Sequence, residues 1–233
     1  MAGWWRGRDG AGQQRGAVPP DGPPADAVVG GGRADEHADT AGQGVTTPEV
    51  TRLRRLLDER EQALGADHPS ALTTRNDLAV AYCAAGSLAR SFALFEQDLA
   101  DSLRVLGPDH PETLNTRANL ANAYDWAGDS ERAVELYEQT LADTERVLGR
   151  HRPDTCSLRC DFADACDWAG DLGRAVELYR RALADAEQLL GAEHPLVATV
   201  RENLADAVER CEDDLPSDDV SSDDVPSDDV PSG

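Results

Sequence analysis

The chain repeats itself every 42 residues. "LGADHP" begins at Leu64, "LGPDHP" at Leu106, "LGRHRP" at Leu148 and "LGAEHP" at Leu190, with no insertion between them. The longest echo is "DWAGDSERAVELY" at 125–137 against "DWAGDLGRAVELY" at 167–179. A fixed period in this range marks a solenoid, because one small unit cannot bury its apolar face alone and stacked copies bury each other's. Each copy then needs the same side chains at the same places. Three full units fit, with half a unit at each end.

Each unit reads as two helices. The first opens at Pro69, Pro111, Pro153 or Pro195, where proline's missing N–H costs nothing. It runs about 17 residues to the "AG" at Gly86, Gly128 or Gly170, a glycine suited to the left-handed turn after a helix. The second helix follows at once and ends at the next "LG". In unit two its apolar residues Ala133, Val134, Leu136, Tyr137, Leu141 and Val147 recur at helical spacing. No segment alternates like a strand, so the fold class is all-α. Residues 48–64 align with a second helix that has lost its first, capped by Thr46 or Thr47. The last helix, from Pro195 to about Cys211, is a first helix with no second; Glu212 stands where the turn glycine belongs. Both end helices are rich in charge, as terminal caps must be.

The recurring places match a known pattern of Leu-Ala, aromatic, Gly, Ala, aromatic. Unit two supplies Leu120, Ala121, Tyr124, Gly128, Ala133 and Tyr137; unit one supplies Leu78, Ala79, Tyr82, Gly86, Ser91 and Phe95. Unit three supplies Phe162, Ala163, Cys166, Gly170, Ala175 and Tyr179. Residues 48–211 thus resemble the tetratricopeptide repeat, and the 42-residue length with its "LGxDHPxTL" linker resembles the kinesin-light-chain type. The resemblance implies a right-handed helical-hairpin solenoid whose first helices line a concave, peptide-binding groove. Three departures stand out: "RHRP" in the third linker, Cys166 for an aromatic, and Asp98 where unit three has Ala182. They suggest looser packing in units one and three.

Outside the array, residues 1–47 are rich in Gly, Ala, Asp and Pro and lack periodicity. Residues 212–233 run through a V-P-S-D-D repeat with nine acids and no base. Both are expected to be disordered tails. Trp4 and Trp5 read as an incidental pair or a short docking peptide. With 22 basic residues, all Arg, against 45 acids, the net charge is -23. Such a chain repels phosphate backbones and anionic membranes, which argues against nucleic-acid and membrane partners. No apolar stretch approaches a membrane span. The first residues lack a signal peptide's apolar core, and five cysteines show no scaffold spacing. A cytoplasmic, reduced setting is expected.

Several residue ladders invite chemistry. His68, His110 and His194 recur in the linkers, but stacked helices lie ~8–10 Å apart and ligands of one zinc sit ~2 Å from it. A linker role, shaping the entry to a helix, fits better than a metal. Cys156 and Cys160 share a helix face and read as small buried residues. Arg75, Arg117, Arg159 and Arg201 recur with the period and read as structural arginines, stem on the core and head on an acid. No nucleophile elbow, phosphate loop or HExxH occurs, so neither catalysis nor a cofactor is expected.

The resemblance places six positions of each first helix on the concave side. That surface carries eight acids, five Asn and one Arg. The candidate ligand-binding residues are Asn76, Asn115, Asn119, Asn122, Asp125, Trp126, Asp161, Asp164, Asp167, Trp168, Asn203 and Asp206. Asparagines hold a peptide backbone by paired amide hydrogen bonds, a role the resemblance implies for Asn119 and Asn203. The acids select positive charge and the tryptophans offer faces to Arg or an apolar anchor. The expectation is a monomeric, non-catalytic protein-protein interaction module for an extended peptide with basic residues. The alternative is a structural protein that self-associates through its unpaired end helices.

Overall fold

The computed structural model describes residues 47–213. The tails expected at either side, and Trp4 and Trp5 with them, lie outside the described residues. Eight helices follow one another: α1 Pro48–Leu64, α2 Pro69–Ala84, α3 Leu88–Val105, α4 Pro111–Ala127, α5 Ser130–Val147, α6 Pro153–Trp168, α7 Leu172–Leu190 and α8 Pro195–Asp213. Among the described residues there is no strand, and no helix is long and apolar enough to cross a membrane. The last helix runs two residues beyond the expected Cys211.

The helix ends obey the sequence. Prolines open α1, α2, α4, α6 and α8. Thr47 caps α1, its side chain accepting from the Val50 amide (3.2 Å). The linker histidines are caps too. Nδ1 of His68, His110 and His194 accepts the amide of Ser70, Glu112 and Leu196 at 3.1–3.2 Å. This satisfies an orphan donor of the first turn and requires the tautomer protonated on Nε2. In the third linker Arg152 makes no side-chain cap. Asp129 and Asp171 cap α5 and α7. Seven glycines from Gly65 to Gly191, one at every helix-to-helix junction, have positive φ. At Gly128 φ is 83° and ψ 9°, a left-handed conformation that a side chain resists.

Each helix packs on the next along the array. Successive first helices also touch, α2 with α4 and α4 with α6, whereas successive second helices make no comparable contact among the described residues. The array therefore bends toward its first helices. The largest core spans units two and three, joining Ala121, Ala133, Tyr137, Phe162, Ala163, Cys166, Ala175 and Tyr179. Unit three is thus not loose. Cys166 is fully buried, and Arg174 moves its guanidinium over Phe162 (4.7 Å). In units one and two the equivalent arginines lie over the aromatics that Cys166 replaces, Arg90 over Tyr82 (5.8 Å) and Arg132 over Tyr124 (5.7 Å).

The periodic arginines are clamps between units. Arg75 and Arg159 reach both back to the preceding second helix and forward to their own. Arg75 donates to Glu61 (2.7 Å) and Asp101 (3.0 Å), and Arg159 to Glu145 (2.7 Å) and Asp185. Arg117 has Asp143 alone (2.7 Å), because the backward place is Leu103. Arg201 has, among the described residues, Glu187 alone (2.8 Å). Burial opposes the charge of Arg159, but hydrogen bonds to the two acids outweigh it and hold its pKa above the ordinary value.

In units one and two an outer brace ties the end of the second helix to the linker that starts the unit. Arg104 forks onto Asp67 (3.0 and 2.5 Å) and Arg146 onto Asp109. These hydrogen bonds hold both aspartates below the usual carboxylate range. In unit three the same places are Gln188 and His151, and His151 bonds to Asp185 instead (3.0 Å).

Candidate functional site

The inner face is built by α2, α4, α6 and α8, and the twelve expected ligand-facing residues divide on it by burial. Trp126 on α4 and Trp168 on α6, 42 positions apart, are 43% and 60% exposed. Asn115 and Asp206 are exposed, and Asp161 and Asn203 are half-buried. Asp167 is half-buried and accepts from Arg210 of α8. The other five, Asn76, Asn119, Asn122, Asp125 and Asp164, are buried.

The buried ones have internal work. Asn119 Nδ2 donates to Asn76 Oδ1 (2.7 Å), and Asn76 Nδ2 donates to Thr116 Oγ1 (2.9 Å). The Thr116 hydroxyl reaches Asp98 Oδ2 (2.9 Å) and the Glu112 carbonyl (3.0 Å). A polar chain thus crosses α4, α2 and α3 inside the junction of units one and two. Burial pushes the Asp98 carboxyl up to about 6, against the lowering effect of Thr116 and of Arg75 at 3.9 Å. At the far end the Tyr179 hydroxyl donates to Asp164 (2.5 Å), and Asn203 Nδ2 approaches the same oxygen (3.4 Å). Burial, and then the Asp164 charge, push the Tyr179 hydroxyl far above its ordinary value, so it stays a donor.

The periodic reading did not anticipate this chain. Asn76, Thr116 and Asp98 have Ala118, Leu158 and Thr140 as their counterparts 42 residues on. The break in the repeat at those places was the available signal. The outer brace carried a clearer one, since Asp67 with Arg104 and Asp109 with Arg146 recur as pairs. Among the described residues no three metal-ligating side chains cluster.

The family model of the tetratricopeptide repeat matches residues 78–146 and 126–188. A solved structure described as the Podosopora anserina putative kinesin light chain nearly identical TPR-like repeats is 30% identical. That match covers 71% of this chain and 78% of the other, with a TM-score of 0.60. The chain is a tetratricopeptide repeat protein of the kinesin-light-chain type. Its fold is also similar to that of BtubC (BKLC) from P. vanneervenii, at 20% identity and a TM-score of 0.64, over 71% of this chain and 68% of that one. No curated protein matches. Tetratricopeptide repeats generally mediate protein-protein interaction and are typically non-catalytic. The inner face of this repeat protein carries two exposed tryptophans among acids.

Proposed function

We propose that the inner face of this repeat protein holds an extended segment of a partner protein that carries Arg or Lys. The observation that carries the reading is the pair Trp126 and Trp168. Large aromatic side chains are mostly withdrawn from water, yet these two stand open at the same register of neighbouring helices. Asp161 and Asp206 lie on the same face. An Arg or Lys side chain gains from an aromatic face and from the acids around it. Buried Asn76, Asn119, Asn122, Asp125 and Asp164 shape the floor, and Asn115, Asp161, Asp167, Asn203 and Asp206 with the two tryptophans meet the ligand.

One copy suffices, because the face is made within a single chain. The net charge of -23 disfavours nucleic acid and anionic membranes as partners. All five cysteines are free thiols, which suits a reducing, cytoplasmic setting.

The test is a binding titration of the full chain with unstructured peptides graded from basic to acidic. Basic peptides should bind best, and more weakly as salt rises. Trp168→Ala, and separately Asp161→Asn with Asp206→Asn, should each weaken binding about tenfold, a loss of ~1.4 kcal/mol. Asp164→Asn is the wrong probe, since it disturbs buried Tyr179. Preference for acidic peptides, or unchanged binding by both variants, would refute the proposal.

A further inference from the structure

Among the described residues the array begins with a second helix and ends with a first helix. α1 buries Val50, Leu53 and Leu57 against α2. Its other face, where a first helix of its own unit would lie, is open, and a shallow depression there is lined by Arg52, Arg55, Leu56 and Glu59. α8 is the mirror case. Its Ala205 is exposed and its Leu204 and Val208 are half-buried. The counterparts of Ala205 are Ala79, Ala121 and Ala163, all 0% exposed. In the inner units a second helix covers that stripe; in unit one Ser91 Oγ of α3 donates to the Ala79 carbonyl (2.8 Å).

The arginine clamp supplies an independent observation. Arg159 is held from behind by Glu145 and from ahead by Asp185. Among the described residues Arg201 has only the rear acid, Glu187, and its side chain is 53% exposed. The forward place, 26 residues on, falls on Ser227. On α1 the place 42 residues before Asp101 is Glu59. Among the described residues, then, α1 keeps the forward acid of the clamp with no clamp arginine, and Glu59 pairs only with Arg55 on its own helix (2.8 Å). Glu61, two residues on and therefore on the opposite side of the helix, already holds Arg75 (2.7 Å).

We propose that α8 of one copy docks on the open face of α1 of a second copy, the two half-units completing one hairpin. Arg201 then lies between its own Glu187 and the second copy's Glu59, as Arg159 lies between Glu145 and Asp185. Leu204, Ala205 and Val208 meet Leu56. The contact is head-to-tail and leaves an α1 and an α8 free at the two ends, so it extends into chains rather than closing. Glu49 limits it. It occupies the slot of Ser91, Ala133 and Ala175, all fully buried, and there it forms a surface pair with Arg52.

Sedimentation velocity of the full chain over a wide concentration range tests the proposal. The wild type should rise progressively above 25.0 kDa, without a plateau at the dimer. Glu59→Arg and Arg201→Glu should each stay monomeric over the same range. An equimolar mixture should assemble again, because every junction in it pairs opposite charges. Glu49→Ala should move the onset to an about fivefold lower concentration. A wild type that stays monomeric throughout, or a mixture no better than its components, overturns the proposal. If the wild type stays monomeric while Glu59→Arg lowers its melting temperature, the occupant of α1 is instead the chain's own segment around Arg33, 42 residues before Arg75, and the second copy is ruled out. Neither Glu59 nor Arg201 belongs to the inner-face set, so peptide binding by these variants reports on that face separately.

Discussion

Replacing the four periodic arginines one at a time by methionine removes the same charge from four settings. Methionine keeps much of the apolar stem, so the series isolates the guanidinium. The side chains of Arg75 and Arg159 are 2% and 3% exposed. Removing Arg75 leaves Glu61, Asp101 and buried Asp98 facing an apolar group; removing Arg159 does the same to Glu145 and Asp185. Breaking a buried ion pair from one side costs about 3–5 kcal/mol. Arg117 is 13% exposed with one acid, Asp143, which Arg146 also holds (3.0 Å). Its loss should cost about 1–2 kcal/mol. Arg201 is half exposed, and its loss should cost ~0–1 kcal/mol. Against a typical total of about 5–15 kcal/mol, the first two variants lose a large part of the stability. Urea unfolding followed by helical circular dichroism gives the costs, provided the slope with urea is unchanged. Four equal costs would refute the idea that these clamps hold neighbouring units together in proportion to their burial. The converse change is Leu103→Glu, which places an acid where Glu61, Glu145 and Glu187 stand. It should stabilise by about 0.5–1 kcal/mol.

Gly128→Val should destabilise by more than ~1 kcal/mol through backbone strain alone, since a Cβ there meets nothing within 4 Å; Gly173→Ala, inside α7, should stabilise by about 0.5–1 kcal/mol, and thermal melts of the pair check both signs. Asp98→Thr, the choice unit two makes at Thr140, should stabilise at pH 8 by about 1–3 kcal/mol. Burial raises the folded pKa of Asp98 to about 6, above the unfolded value of ~3.9, so its ionised form opposes folding above pH 6. That burden lifts as pH falls toward 4, and the advantage of the variant should shrink across the same window in urea titrations. In brief alkylation of the native chain, half-buried Cys211 should react first, since Cys83 and Cys166 are buried and their thiols pushed up to about 11 and about 12 by that burial.

Helix ends were legible because proline and glycine act through the backbone, which needs no neighbour to be known. The clamp arginines were legible as structural because they recur, though their two acids were not. Those acids sit 14 residues back and 26 ahead, offsets that emerge only when helices are stacked. The inner face was legible as a set of positions and not as a set of exposures. Asn76 meets Asn119 at a separation of 43, and Thr116 meets Asp98 at 18. Contacts off the 42-residue period bury groups that a periodic reading leaves facing the ligand. Cys166 differs in another way: a missing aromatic suggested looser packing, but Phe162 of the preceding turn is buried there and Arg174 lies over it.

The exchange of the outer brace in unit three has a mechanical side. Asp67–Arg104 and Asp109–Arg146 lock their units with two-pronged contacts that resist both twist and separation. Where His151 meets Asp185, a single bond does that duty and pivots about its own axis. The stiffness of the coil is therefore uneven along its length. At the linker end of the third unit, the far end of its hairpin from Trp168, twist meets one bond where each of the first two units sets two.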